Sequence, residues 1–252
     1  MVRRLADAVA PPLLFAGGLL ALWWIATGWF EVQPLVLPSP PQVATVFVEQ
    51  GGYLWRGTRT TLTEAVVGYV IAAALGLGVG TLLASWPRLK RAALPTLVAL
   101  DAVPKIALAP VLMVAFGLGM GPKIGVVVAT CLLPIVLATM HGLTSTPADY
   151  LELARSLSAS WWQQMVKIRF PFALPRIFVG LRIAAPLAVI GAVVAELFGA
   201  VSGLGYAIRA AGSQMALVWA VLILLAGMSL ALYSTVAAVE RLAVPWARHT
   251  NV

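Results

Sequence analysis

Residues 146–171 read TPADYLELARSLSASWWQQMVKIRFP, a polar and charged interval between two long apolar runs. Its residues are those of a built connection rather than a slack linker. Thr146, Pro147 and Asp149 make a helix start: a hydroxyl cap, a proline at the first helical position and a carboxylate near the positive end of the helix dipole. A short helix with Leu151, Ala154 and Leu157 on one side follows. Ser160-Trp161-Trp162-Gln163 fits a capping box that opens a second helix. Pro171 ends that helix or separates it from the next apolar run. The expectation is two short helices meeting at an angle across one face of a membrane. Trp161 and Trp162 suit a headgroup boundary or a protein contact. Local chemistry leaves two readings open, an amphipathic surface helix and a docking surface for another subunit.

Moving outward, the interval is flanked by apolar runs at 122–143 and 174–199, and further runs cover 11–30, 61–86, 94–118 and 216–243. Each approaches or exceeds the roughly 20 residues that a helix needs to cross about 30 Å of hydrocarbon. The chain is therefore expected to be an all-α membrane protein of about six spans, folded as one transmembrane domain over 1–252. Composition agrees: 61% of residues are apolar and 10% charged, and mean hydropathy is +0.95. Soluble domains carry about 25% charged residues, so the natural solvent of this surface is lipid.

The net charge of +8 does not suggest nucleic acid, because the basic residues sit between apolar runs and form no domain that could grip a duplex. There they orient the chain and meet lipid headgroups. With the N-terminus inside, Arg3, Arg4, Arg88, Lys90, Arg91, Arg155, Lys167, Arg169, Arg176, Arg241 and Arg248 lie on or near the cytoplasmic side. Arg56, Arg59, Lys123 and Arg209 lie outside. This bias of 11 to 4 predicts both termini inside and an even number of spans. Met1-Val2-Arg3-Arg4 starts like a signal peptide. The apolar part that follows is long enough to span, and no small-residue cleavage site comes after it, so it reads as the first span.

Between the spans, 31–60 reads as a long outer loop whose start is stiffened by Pro34, Pro38, Pro40 and Pro41, with a short interfacial helix from about Pro41 to Glu49. Residues 200–215 read as an outer loop with Gly203 and Gly205. Gly76, Gly78 and Gly80, with Ala72, Ala73 and Ala74, predict close helix packing. Trp23, Trp24 and Trp29 read as facing lipid or the interface. The single cysteine, Cys131, excludes an internal disulfide and a cysteine metal cluster. His141 and His249 are too isolated for a metal site, and none is expected.

Charges inside spans are expensive, at roughly 2.5–3.5 kcal/mol each on insertion scales. Asp101 and Lys105 are four apart and can pair on a helix, while Pro104 frees a backbone carbonyl that Lys105 can also satisfy. Two readings fit: a polar site on a translocation path that meets an anion, or a structural pair stabilising a kinked helix. Glu196, near the outer end of the fifth run, reads as gating that path, as pairing with Arg209 or as a snorkelling structural residue. Arg182 reads as reaching inner headgroups, and Glu64 as the plain start of the second span. The glycine-rich Gly117–Lys123 does not fit a phosphate loop, so the chain is not expected to be an enzyme or to bind a cofactor itself.

Glu152-Leu153-Ala154, three residues, Ser158, nine residues, then Ile168-Arg169-Phe170-Pro171 resembles the "EAA" loop of bacterial binding-protein-dependent ABC permeases. Their pattern is Glu-Ala-Ala, three residues, Gly, nine residues, Ile, one residue, Leu-Pro. The spacing matches throughout, and Leu153, Ser158 and Phe170 depart in residue type. Leu37-Pro38-Ser39-Pro40 with Val43 resembles the nitrate/sulfonate/taurine permeases. So do Pro104–Pro110 with Phe116-Gly117, Val194–Ala200, and Gly203-Leu204-Gly205-Tyr206. The likeness covers roughly 35–245. It implies a type I ABC importer permease of the bacterial inner membrane, with a cytoplasmic coupling helix between spans four and five. Glu152, Ala154, Ser158, Ile168 and Pro171 would then couple to ATPase. The resemblance further implies two ATPase subunits that hold ATP-Mg, a second permease copy in a homodimer, and an extracytoplasmic solute-binding protein. A small anion such as a sulfonate, taurine, nitrate or bicarbonate would be the cargo. The alternative is a secondary transporter driven by an ion gradient. It predicts interrupted helices and buried carboxylates at matching positions of two halves, and the sequence offers one kinked pair and no internal duplication.

Overall fold

The computed structural model describes residues 2–29, 33 and 35–246, and these fold into helices with no strand among the described residues. Pro34, Arg248 and His249 lie outside the described residues. In chain order the helices are α1 (Val2–Trp29), α2 (Pro40–Glu49), α3 (Gly51–Ser85), α4 (Pro87–Asp101), α5 (Lys105–Phe116) and α6 (Met120–Thr144). They continue as α7 (Ala148–Ser156), α8 (Trp161–Gln164), a π-helical turn (Met165–Arg169), α9 (Phe170–Gly199), α10 (Leu204–Ala210) and α11 (Met215–Ala243).

Among the described residues, α3, α6, the continuous run Trp161–Gly199 and α11 are each long and apolar enough to cross a membrane. The expected third span, 94–118, is corrected. It is broken at 102–104 into α4 and α5, which pass the same test only together and are bent by 91°. The cause is Pro104, which has no N–H to give and pushes Val103 away from helical backbone. The other expected runs fall on α1, α3, α6, α9 and α11.

The core is a three-helix packing with α6 in the middle, α3 on one side and α9 on the other. Small residues allow the close approach. Gly68, Gly76 and Gly80 of α3 face Val127, Ile135 and Thr139 of α6, and a Cβ on Gly76 would lie 2.7 Å from Ile135 Cγ2. Gly78, expected in the same packing, instead faces open space. A sharp contrast follows: Gly76→Leu should overpack the α3–α6 contact by about 1–3 kcal/mol, while Gly78→Leu should change stability by less than about 0.5 kcal/mol. Thermal unfolding of the two variants in detergent checks this, and equal midpoints would contradict it.

At one end of the bundle, α2 begins where expected. Ser39 N–H donates to Gln42 Oε1 at 2.9 Å, closing a capping box. The long loop expected over 31–60 is shorter than read, because α3 already starts at Gly51. Leu54, Gly57 and Thr61 recur at helical spacing and are buried, with Gly57 packed against Leu204 and Gly203. Residues 204–210, read as loop, form α10. Trp23 of α1, expected to face lipid or the interface, stacks on Trp219 of α11 at 5.3 Å and donates its indole N–H to the Pro38 carbonyl at 3.0 Å. Trp24 and Trp29 are exposed as read.

Candidate functional site

The α7–α8 elbow is built from local rules. α7 starts at Ala148, with Pro147 as its N-cap in extended backbone. The expected hydroxyl cap does not form: the Thr146 hydroxyl is buried and accepts or donates no hydrogen bond within the protein. At the other end Ser158 N–H bonds the Arg155 carbonyl and Ala159 N–H bonds the Ala154 carbonyl, both at 2.9 Å. These paired reverse bonds need a left-handed residue just past the helix end, and Ser158 supplies it at φ 56°. That is the position where the resembled motif has glycine, whose missing Cβ makes this backbone region easy.

Ser158→Gly should therefore relieve about 1 kcal/mol of backbone strain, partly offset by glycine's greater freedom when unfolded. A small rise in melting temperature with unchanged transport is the expected result. A fall in melting temperature would mean that the serine side chain stabilises the turn.

The second capping box forms as read. Ser160 N–H donates to Gln163 Oε1 at 2.8 Å, and Gln163 N–H to Ser160 Oγ at 3.3 Å. Pro171 neither ends this helix nor separates it from the next. α8 runs through the π turn into α9, with Phe170 N–H bonding the Met165 carbonyl. The hydrogen-bond register changes just before the residue that has no N–H to offer.

This arrangement splits the motif into an anchored part and a free part. Ala154 and Met165 are buried, and Met165 packs with Leu143 and Ala173. Ile168 and Pro171 are half-buried, while Glu152 and Ser158 are exposed. Leu157, read as sharing one side of this helix with Ala154, is 73% exposed, and Leu153 and Trp162 are exposed as well. Tyr150 leans on Phe172 with ring centroids 5.0 Å apart. Pro147, Pro171, Arg176 and Trp246 line one cavity, so the elbow lies at the end of the bundle where α11 finishes.

At the opposite end the residue read as a possible gate is enclosed. Glu196 is fully buried. Its Oε1 accepts from Thr61 Oγ1 at 2.7 Å and its Oε2 from Gly205 N–H at 2.6 Å. Thr61 Oγ1 in turn accepts from Leu204 N–H at 2.8 Å. One carboxylate thus ties α9 to α3 and to the start of α10. Gly203, at φ 110°, leaves room for it, since a Cβ there would lie 2.0 Å from Glu196 Oε1. The Glu196–Arg209 pair, one of the three readings of Glu196, does not form. Arg209 donates to the carbonyls of Leu197 and Ala200 and lies over the Tyr206 ring.

Sequence reasoning missed a neighbouring pair. Lys123 Nζ meets Glu64 Oε1 at 2.6 Å, with both side chains buried. Glu64 is not a plain span start, and Lys123 is not an outer-loop cation. The available signal was a carboxylate three residues inside an apolar run, which demands a partner. Arg182, read as reaching headgroups, meets Glu240 of α11 at 3.1 Å.

The third charged place is the break between α4 and α5. Lys105 Nζ meets Asp101 Oδ1 at 2.8 Å and also reaches the Asp101 carbonyl, which the break leaves free. The pair forms as read, although the helix between its members does not continue. No cluster of metal-ligating side chains occurs among the described residues.

The model of a family described as "Binding-protein-dependent transport system inner membrane component" matches residues 74–245. Formylaminopyrimidine transport permease protein ThiX of Halalkalibacterium halodurans is 34% identical over 249 residues, covering 97% of this chain and 98% of its own. Putative aliphatic sulfonates transport permease protein SsuC of Bacillus subtilis is 33% identical over 238 residues, covering 93% and 86%. In fold, the chain is similar to a solved chain of the MetNI methionine ABC transporter in an inward-facing conformation, with a TM-score of 0.69 at 23% identity. That likeness covers 77% of this chain and 97% of the solved one.

Proposed function

Because the chain belongs to the family of binding-protein-dependent transport system inner membrane components, a family of ABC transporter permeases, we propose that it works as one of two identical permease copies driven by two ATPase subunits. These dock on the α7–α8 elbow and hold the ATP-Mg. An extracytoplasmic binding protein delivers the solute to the opposite face. A small anion such as a sulfonate is the cargo.

The observation that carries this reading is the elbow itself. It is fixed to the bundle through Ala154 and Met165 yet leaves Glu152, Leu153, Leu157 and Trp162 uncovered. A part that transmits force has to be held on one side and free on the other. ATP can drive a two-state permease only by binding its states differently, and a rigidly mounted elbow carries that difference into α6 and α9. Arg88, Lys90, Arg91, Arg155, Lys167, Arg169 and Arg176 belong to the segments at the elbow end, which supports a cytoplasmic elbow and a cytoplasmic C-terminus. The SsuC likeness and the Lys105 ammonium on the broken span support an anion.

The test is co-purification from mild detergent. The permease is expected to bring down an ATPase, and to lose it when Leu153 and Leu157 are both changed to aspartate. An ATPase that is still recovered with that variant would place the docking surface elsewhere.

A further inference from the structure

The break between α4 and α5 sits at a depth where a lipid-facing chain has to stay helical. A cavity of about 270 Å³ beside it is walled by Asp101, Val103 and Lys105 and, from α6, by Ala129, Leu132 and Val136. These α6 residues straddle the middle of a 25-residue helix about 37 Å long, so the break lies near the centre of the membrane. There Val103 and Pro104 leave the helix, and both are exposed together with Ala102. Hydrocarbon does not tolerate irregular backbone against it; such backbone is found covered by protein or lining water. The same holds for the ion pair, whose carboxylate side chain is 36% and ammonium side chain 20% exposed. Two independent observations, bare backbone and bare charge, therefore keep lipid off this side of the bundle and leave it to water or to the second permease copy.

We propose that Lys105 is the anion contact of the translocation path and that Asp101 is its built-in counter-ion, displaced when an anion passes. This rests on the reading of the chain as an importer permease. The ammonium has three donors. Two meet Asp101, through its side chain and its carbonyl, and one is left for a guest. Asp101 is the more exposed partner and keeps access to water when the ammonium turns to a passing oxyanion. Competition from Asp101 also keeps the site weak, as a path requires, since an ion has to leave as readily as it enters.

The experiment measures binding of radiolabelled methanesulfonate to the permease–ATPase complex in lipid nanodiscs, with a neutral formylaminopyrimidine as control. Asp101→Asn removes the competitor and should tighten methanesulfonate binding by at least about tenfold. Lys105→Gln should abolish it, and Lys105→Arg should retain it. Binding of the neutral control should be the same in all forms. Superimposed methanesulfonate isotherms for wild type, Asp101→Asn and Lys105→Gln would overturn the proposal. So would weaker binding in Asp101→Asn, or loss of the neutral control together with the anion. Failure of the importer reading would look different, as a chain that recovers no ATPase.

Discussion

Lys123→Met should be among the most damaging single substitutions in this protein. It leaves the Glu64 carboxylate, 1% exposed, buried without its cation. Breaking a buried pair from one side costs about 3–5 kcal/mol, because the remaining charge has neither water nor a partner. At this chain length that corresponds to a fall of roughly 10 °C in melting temperature. The informative comparison is the double substitution Glu64→Leu with Lys123→Met. A buried ion pair replaced as a whole by apolar groups of similar size is often neutral, so the double variant should recover most of the loss. Thermal unfolding of the three proteins in one detergent decides it. A single variant as stable as wild type would mean that the pair does not hold α3 to α6. A double variant as weak as the single would mean that the lysine contributes through something other than Glu64.

Glu152→Ala is the second large effect, and it falls on activity instead of stability. The side chain is exposed and makes no contact that the bundle depends on, so the amount of inserted protein and its melting temperature should stay at wild-type values. ATP-driven uptake should fall by at least about tenfold, the equivalent of 1.4 kcal/mol of lost coupling. Uptake by vesicles carrying the whole transporter, normalised to inserted permease, reads the effect. Wild-type rates would remove Glu152 from the coupling surface while leaving Leu153 and Leu157 to be tested there. Together the two variants separate the ends of the molecule: Lys123 lies in the buried network at the end away from the elbow, Glu152 on the free face of the elbow.

The elbow was legible because its determinants are local. The capping box at Ser160–Gln163 is set by neighbours within a few positions, and Ser158, which turns left-handed, stands where the resembled motif has glycine. The break at Pro104 was half legible. The proline and the Asp101–Lys105 spacing announced a disturbance and a pair, but a kink and a 91° break have the same sequence signature. The Thr146 cap failed because Pro147 took the capping position and the hydroxyl was turned into the bundle. The shared side of Leu151, Ala154 and Leu157 did not say how much of it would be covered: α7 makes only a short contact with the core, enough to bury Ala154 and not Leu157.

Hydropathy and the turn chemistry of residues 146–171 were enough to determine a multi-span helical protein with a structured elbow, since each acts over one helix or one turn. Which charges meet was decided only by the tertiary structure. Glu64 finds Lys123 across 59 residues, and Glu196 finds Thr61 across 135. A charge in an apolar run tells a reader that a partner must exist, because hydrocarbon exacts a large penalty for leaving it alone. It does not say which helix brings that partner, because this depends on how α3, α6 and α9 pack.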